Sequence, residues 1–251
     1  SSENYTINVS GGTITSSEEN GIYSSNANAI NISGSARITS TNNNAIECWG
    51  GTLKITGGTL TSTNGVAILV AKTLNMSGGT VSGKTRGITC YGATATISGG
   101  TISASGGRAL YCDYVTGDAG TSTTTISGTA TIKGTSSYPT IRNISGSTLN
   151  ITGGTITATA WSAISNEGTC TITQASGKTV LIKSTVGGTQ SSTKSTIYNG
   201  DMGTLTMNSG TVYASSSQYH VYGTSNAKKT VVKSAVTRSG NGAGYHNTTT
   251  S

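Results

Sequence analysis

Residues 7–16, "INVSGGTITS", place apolar side chains at 7, 9 and 14 between Asn, Ser and Thr, around a Gly-Gly pair. The phrase returns as "INISGSARITS" from 30, "LKITGGTLTS" from 53, "LNMSGGTVSG" from 74 and "LNITGGTITA" from 149. Alternation with a period of two predicts strands with one face in and one out. A third alternating run follows each pair, such as "GIYS", "AILV", "ALYC" or "TIYN". The units start at Ile7, Ile30, Leu53, Leu74, Ala95, Thr124, Leu149, Cys170 and Leu205, with a degenerate one near Val231, at intervals of 21 to 35 residues. That spacing is a solenoid period and not a tandem of domains. Gly-Gly falls at the first corner, where a positive φ is needed. The expected fold is all-β: a single right-handed parallel β-helix over 1–251, with about ten turns of three short strands and about 4.8 Å of rise per turn. One inward row is read as Ile14, Ile38, Leu60, Val81, Ile102, Ile132, Ile156, Val180 and Val212.

Composition fits a thin core spread along an axis. Among 251 residues there are 36 Gly, one Pro, no Phe and 33% hydrophobic residues, too little apolar volume for a conventional globular core. Only 9% of residues are charged, but 15 Lys and Arg against 8 Asp and Glu give a net charge of +7. The balance favours an anionic partner, and the charges are too sparse for a nucleic-acid footprint. No apolar run reaches the length of a membrane span, so no membrane insertion is expected. The chain begins and ends inside its own pattern, as a piece of a larger protein with flanking domains would.

The repeated "SGGTIT" unit resembles the pectate-lyase-like right-handed β-helices found as repeat regions in surface adhesins and carbohydrate-binding proteins of Gram-positive bacteria. The resemblance covers nearly the whole chain. It implies a secreted or cell-surface location and a polysaccharide or host glycan as partner.

Enzymatic chemistry finds little to work with. A glycan hydrolase needs two carboxyl groups about 5 to 9.5 Å apart. Glu47 and Asp113 share the third face but stand on turns two and five, about 14 Å apart along the axis. Glu18, Glu19, Asp113 and Asp118 read as solvated loop acids, without the dense oxygen set that calcium requires. His220 and His246 have no ligating or carboxylate neighbours in sequence, so neither a zinc site nor a nucleophilic triad is expected. The reading is a non-enzyme with no cofactor and no metal. Cys48, Cys90 and Cys112 fall at one inward place of the third strand and Cys170 on the first; all four are expected as buried free thiols. The same row continues as Asn143, Asn166 and Asn199, predicting an amide ladder.

Two outer faces remain as candidate sites. The third collects Trp49, Tyr91, Tyr111, Arg142, Tyr198 and Tyr222, with Arg86, Arg108, Tyr138 and Trp161 on the turn leading into it. Aromatic rings beside Arg suit stacking on sugars and pairing with carboxylate or sulfate, although Tyr columns also stabilise a parallel sheet by themselves. The second face turns Thr13, Thr15, Thr59, Thr61, Thr80, Ser82, Thr101, Ser103, Thr155 and Thr157 outward. This array resembles the ice-binding faces of β-helical antifreeze proteins, and Arg37, Lys133 and Tyr213 interrupt it. The leading expectation is a binding or adhesin module for polysaccharide or glycan on the third face. Ice binding on the second face is the alternative, and a structural stalk the third reading.

Overall fold

A computed structural model describes residues 5–113, 120–186, 194–215 and 217–250. Within them the backbone forms 31 short strands and no α-helix. Each strand pairs in parallel with the strand three places further along, giving sheets of eleven, ten and ten strands. The molecule is a parallel β-solenoid with one strand of each sheet per turn. One turn comprises Thr52–Ile55, Thr59–Ser62 and Val66–Val70, and the next Thr73–Met76, Thr80–Gly83 and Arg86–Tyr91.

The alternating pattern builds the core directly. Ile38, Leu60, Val81, Ile102, Ile132 and Ile156 stand in one register column, each with no exposed surface. Burying each such side chain contributes about 1.5–3 kcal/mol. Corner glycines let the turns close and stack. Gly100 has a φ of 80°, and a Cβ there would lie 2.7 Å from the carbonyl oxygens of Gly78 and Gly79 in the preceding turn. Both the left-handed conformation and the close approach require glycine at that place.

Two expected register positions are corrected. Ile156 pairs with Ile182 and not with Val180, which instead stands between Gly154 and Gly210. The corner before Val180 is longer than its predecessors, so "GKTV" imitates "GGTI" two residues too early. On the last full turn Leu205 pairs with Thr230 and Met207 with Val232, so Thr230, not Val231, opens the inward row. Thr230 is buried there because its hydroxyl accepts a 2.8 Å hydrogen bond from Asn199 Nδ2.

The third inward column runs Cys48, Val70, Cys90, Cys112, Asn143, Asn166 and Asn199, as the pattern predicts. Asn143 Nδ2 donates to Asn166 Oδ1, and Asn166 Nδ2 to Asn199 Oδ1, both at 2.7 Å. All four cysteines are buried and unpaired. The longer loops that interrupt the repeat at 113–120 and 184–195 lie mostly outside the described residues.

Candidate functional site

Register fixes what the third sheet turns outward. Its outer column is Tyr23, Glu47, Leu69, Thr89, Tyr111, Arg142, Ser165, Tyr198, Tyr222 and His246. Trp49 and Tyr91 do not join this column. Tyr91 pairs with Asp113, two residues beyond the Thr89–Tyr111 pair, and meets Trp49 edge-on at 5.9 Å. Glu47 fixes the Trp49 end by accepting from Trp49 Nε1 at 2.6 Å and from the side-chain amides of Asn20 and Asn44. The ten residues expected on this face therefore divide into a small Trp49/Tyr91 pair and a larger cluster further along.

The larger cluster encloses a cleft of about 260 Å³, lined by Arg108, Tyr138, Arg142, Trp161 and Tyr198 among others. Two guanidinium groups, of Arg108 and Arg142, line it, and that of Arg86 stands one turn before Arg108. Arg86 and Arg108 are register partners on adjacent turns, and Arg142 pairs with Tyr111 on the turn after. Arg86 lies over the Tyr111 ring at 4.1 Å, and Arg108 sits 5.4 Å from the Tyr111 ring and 4.9 Å from the Tyr138 ring. These cation–π contacts hold the planar groups without consuming their hydrogen-bond donors. Arg142 is the exception: it donates to Ser165 Oγ and pairs with Glu167, each at 2.6 Å. Among the described residues that is the only ion pair, so Arg86 and Arg108 have no carboxylate partner there. Arg108 Nε is buried without a hydrogen-bond partner. Burial lowers the Arg108 pKa, and the positive charges of Arg142 and Arg86 add to that effect. Tyr198 is pushed the other way, by burial first and then by Asp201 and Glu167.

Beyond the cleft the rings stack on each other. Tyr198 and Tyr222 are 6.1 Å apart and nearly parallel, Tyr222 and His246 are 4.3 Å apart and parallel within 5°, and Tyr219 packs against both Tyr222 and His246. Their faces are largely occupied by one another, as in a structural aromatic column. Tyr138, 47% exposed, and Trp161 on the cleft wall lie outside this stack. Sequence reading placed His246 only as an isolated histidine. Its separation of one turn from Tyr222 was the available signal.

The hydroxyl array on the second face is interrupted more than expected. Arg37 stands between Thr13 and Thr59, Lys133 between Ser103 and Thr157, and Leu181 and Lys183 follow Thr155 and Thr157. Lys183 then lies over Tyr213 at 4.7 Å. What survives is a column of Thr59, Thr80, Thr101, Thr131 and Thr155, with Thr61, Ser82 and Ser103 beside its first three members. The first sheet carries the longer array. Thr52, Thr73, Thr94, Thr123, Thr148, Thr169 and Thr204 form an unbroken column over seven turns. Beside it run Lys54, Asn75, Thr96, Thr125, Asn150, Thr171 and Thr206. These threonines precede the Gly-Gly corner, whereas the conspicuous Thr-x-Thr of the sequence follows it.

Among the described residues no group of three or more His, Cys, Asp or Glu side chains is arranged to hold a metal ion. No protein-family model, no curated protein and no solved structure matches the chain.

Proposed function

We propose that the protein is a non-enzymatic carbohydrate-binding module, secreted or displayed on a bacterial surface, that recognises polysaccharide or host glycan along its third sheet. The observation that carries this reading is the cleft in which Tyr138, Trp161 and Tyr198 meet Arg108 and Arg142. Flat apolar rings beside fixed planar donors match a pyranose, which offers C–H faces to stack and hydroxyls to hydrogen-bond. The similarity of the "SGGTIT" repeat to adhesin β-helices supports the same reading. The test is an oligosaccharide array probed with the wild-type chain and with Trp161→Ala and Tyr138→Ala. Loss of one bound set in both variants, with unchanged circular dichroism, is the expected result. Binding that survives both changes excludes this cleft.

A second reading is favoured by the seven-turn threonine column on the first sheet. Repeats of about 7 Å along each strand and about 4.8 Å between strands present methyls and hydroxyls as a flat lattice suited to ordered water. Ice binding moves with it from the second face to the first. Thermal hysteresis that falls on Thr94→Tyr with Thr169→Tyr is the expected signature; absence of hysteresis in the wild-type chain removes it. A chain blank in both assays is left with the role of a stalk.

A further inference from the structure

Resting on the carbohydrate reading, we infer that the cleft is built for a single acidic sugar unit, whose carboxylate or sulfate is held by Arg108, with the charge of Arg86 one turn away, while its ring lies against Tyr138 and Trp161. Charge and unspent donors point to this ligand. Three guanidinium groups stand on three successive turns, and among the described residues only Arg142 has a carboxylate in contact. Bringing like charges together in a partly buried place is unfavourable unless an anion joins them. Arg86 and Arg108 make no hydrogen bond among the described residues that would compete with a ligand, and Arg108 Nε is buried and unpaired. The Tyr111 and Tyr138 rings hold the Arg108 guanidinium without supplying it a hydrogen-bond acceptor. An in-plane fork is the geometry that engages two oxygens of a carboxylate or sulfate at once.

Size narrows the ligand further. A volume of 260 Å³ lies just under the range of about 300–1,000 Å³ that accommodates drug-sized ligands. The cleft therefore takes one ring, and the adjoining units of a chain lie outside it. Arg142 plays a separate part. Tied to Glu167 and Ser165, it forms a fixed wall and contributes little net charge.

The experiment compares uronate-bearing and sulfated oligosaccharides with their carboxyl-reduced and desulfated counterparts on one array, followed by calorimetry on the tightest pair. The counterparts keep rings and linkages and lose only the charge. Expected is binding confined to the acidic members, with the neutral partners weaker by about tenfold or more and with affinity falling as salt rises. Arg108→Gln should abolish the difference between acidic and neutral partners, Arg86→Gln should reduce it several-fold, and Arg108→Lys should restore only part of it. Arg86→Gln serves as the second probe if Arg108→Gln alters the melting transition. Equal binding of acidic and neutral partners overturns the acidic-unit proposal and leaves the carbohydrate reading standing. Binding to no member overturns both. A preference for acidic members that both glutamine variants retain places the anion elsewhere and overturns the site. Carboxylated and sulfated arms report separately, so either group alone satisfies the proposal.

Discussion

Asn166 donates its side-chain amide to Asn199 Oδ1 at 2.7 Å, across 33 residues of chain, and both side chains are fully buried. The same nitrogen reaches the carbonyl of Gly168 at 3.0 Å, and Asn166 Oδ1 receives Asn143. Asn166→Ala leaves buried Asn199 Oδ1 without its donor, whereas Asn143 Nδ2 keeps the carbonyls of Ser147 and Thr169, a loss of about 1–3 kcal/mol. Asn31 also donates to its neighbour Asn8, but on the outer surface. Asn31→Ala should change stability by less than about 0.5 kcal/mol. Urea unfolding followed by circular dichroism measures both, and similar losses would show that the ladder carries no special stability.

The facing of the strand Val180–Ser184 has its own test. Ile182 is fully buried, whereas its neighbour Leu181 is half-exposed in the outward column with Thr155 and Thr211. Ile182→Asp should abolish the native fold around it, because an unpaired charge enters a stack one side chain thick, at a cost of several kcal/mol. Leu181→Asp should express and melt nearly as the parent does. The opposite order of severity would overturn the inward assignment of Ile182 and the outward one of Leu181.

Thiol chemistry should track unfolding. Cys90, Cys112 and Cys170 are fully buried, and burial raises the pKa of each, Cys112 to about 12. Cys48, equally buried, donates to the Gly50 carbonyl and is also raised by burial. Near neutral pH none is a thiolate, so a maleimide should leave the native protein almost unlabelled and modify four sites in denaturant. Mass spectrometry reads the count. A disulfide between Cys90 and Cys112 would contradict their parallel placement on adjacent rungs.

Acid should loosen the turn that holds His220. Its Nε2 lies 2.8 Å from the Ser239 carbonyl, and its Nδ1 accepts the Gly244 N–H at 3.3 Å, which fixes a neutral ring. Burial lowers its pKa below the ordinary 6.5, against the favourable pull of the Ser239 carbonyl on the cation. With the folded value depressed, the unfolded chain takes up the proton first as pH falls. Stability should hold above about pH 6.5, decline below it, and level off once pH passes the folded value. Melting curves from pH 8 to 5 report this, and His220→Gln should flatten that part of the profile. An undiminished slope in the variant would assign the pH dependence to other groups.

Much of this architecture was legible because each turn repeats the same chemistry. Ile38, Leu60, Val81, Ile102 and Ile132 could be aligned by alternation alone, and the change from Cys112 to Asn143 announced the amide ladder. The misplaced positions are those where a corner changed length or a polar residue took an apolar place. Val180 followed a false corner motif, and Thr230 looked unsuited to the interior until the amide of Asn199 supplied its partner. The candidate site was partly readable: outward aromatics mark a face but not their grouping. Separating Trp49 and Tyr91 from the Arg108 cleft, and finding the column from Thr52 to Thr204, required the register between turns.

That register gives the molecule an unusual ruler. Asn143 and Asn166 are 23 residues apart and Asn166 and Asn199 are 33 apart, yet the two amide contacts have the same length of 2.7 Å. Height along the axis is counted in turns and not in residues. Insertions can therefore decorate the perimeter while every outer column keeps its pitch, so a polymer lying lengthwise meets evenly spaced contacts whatever the corners have acquired.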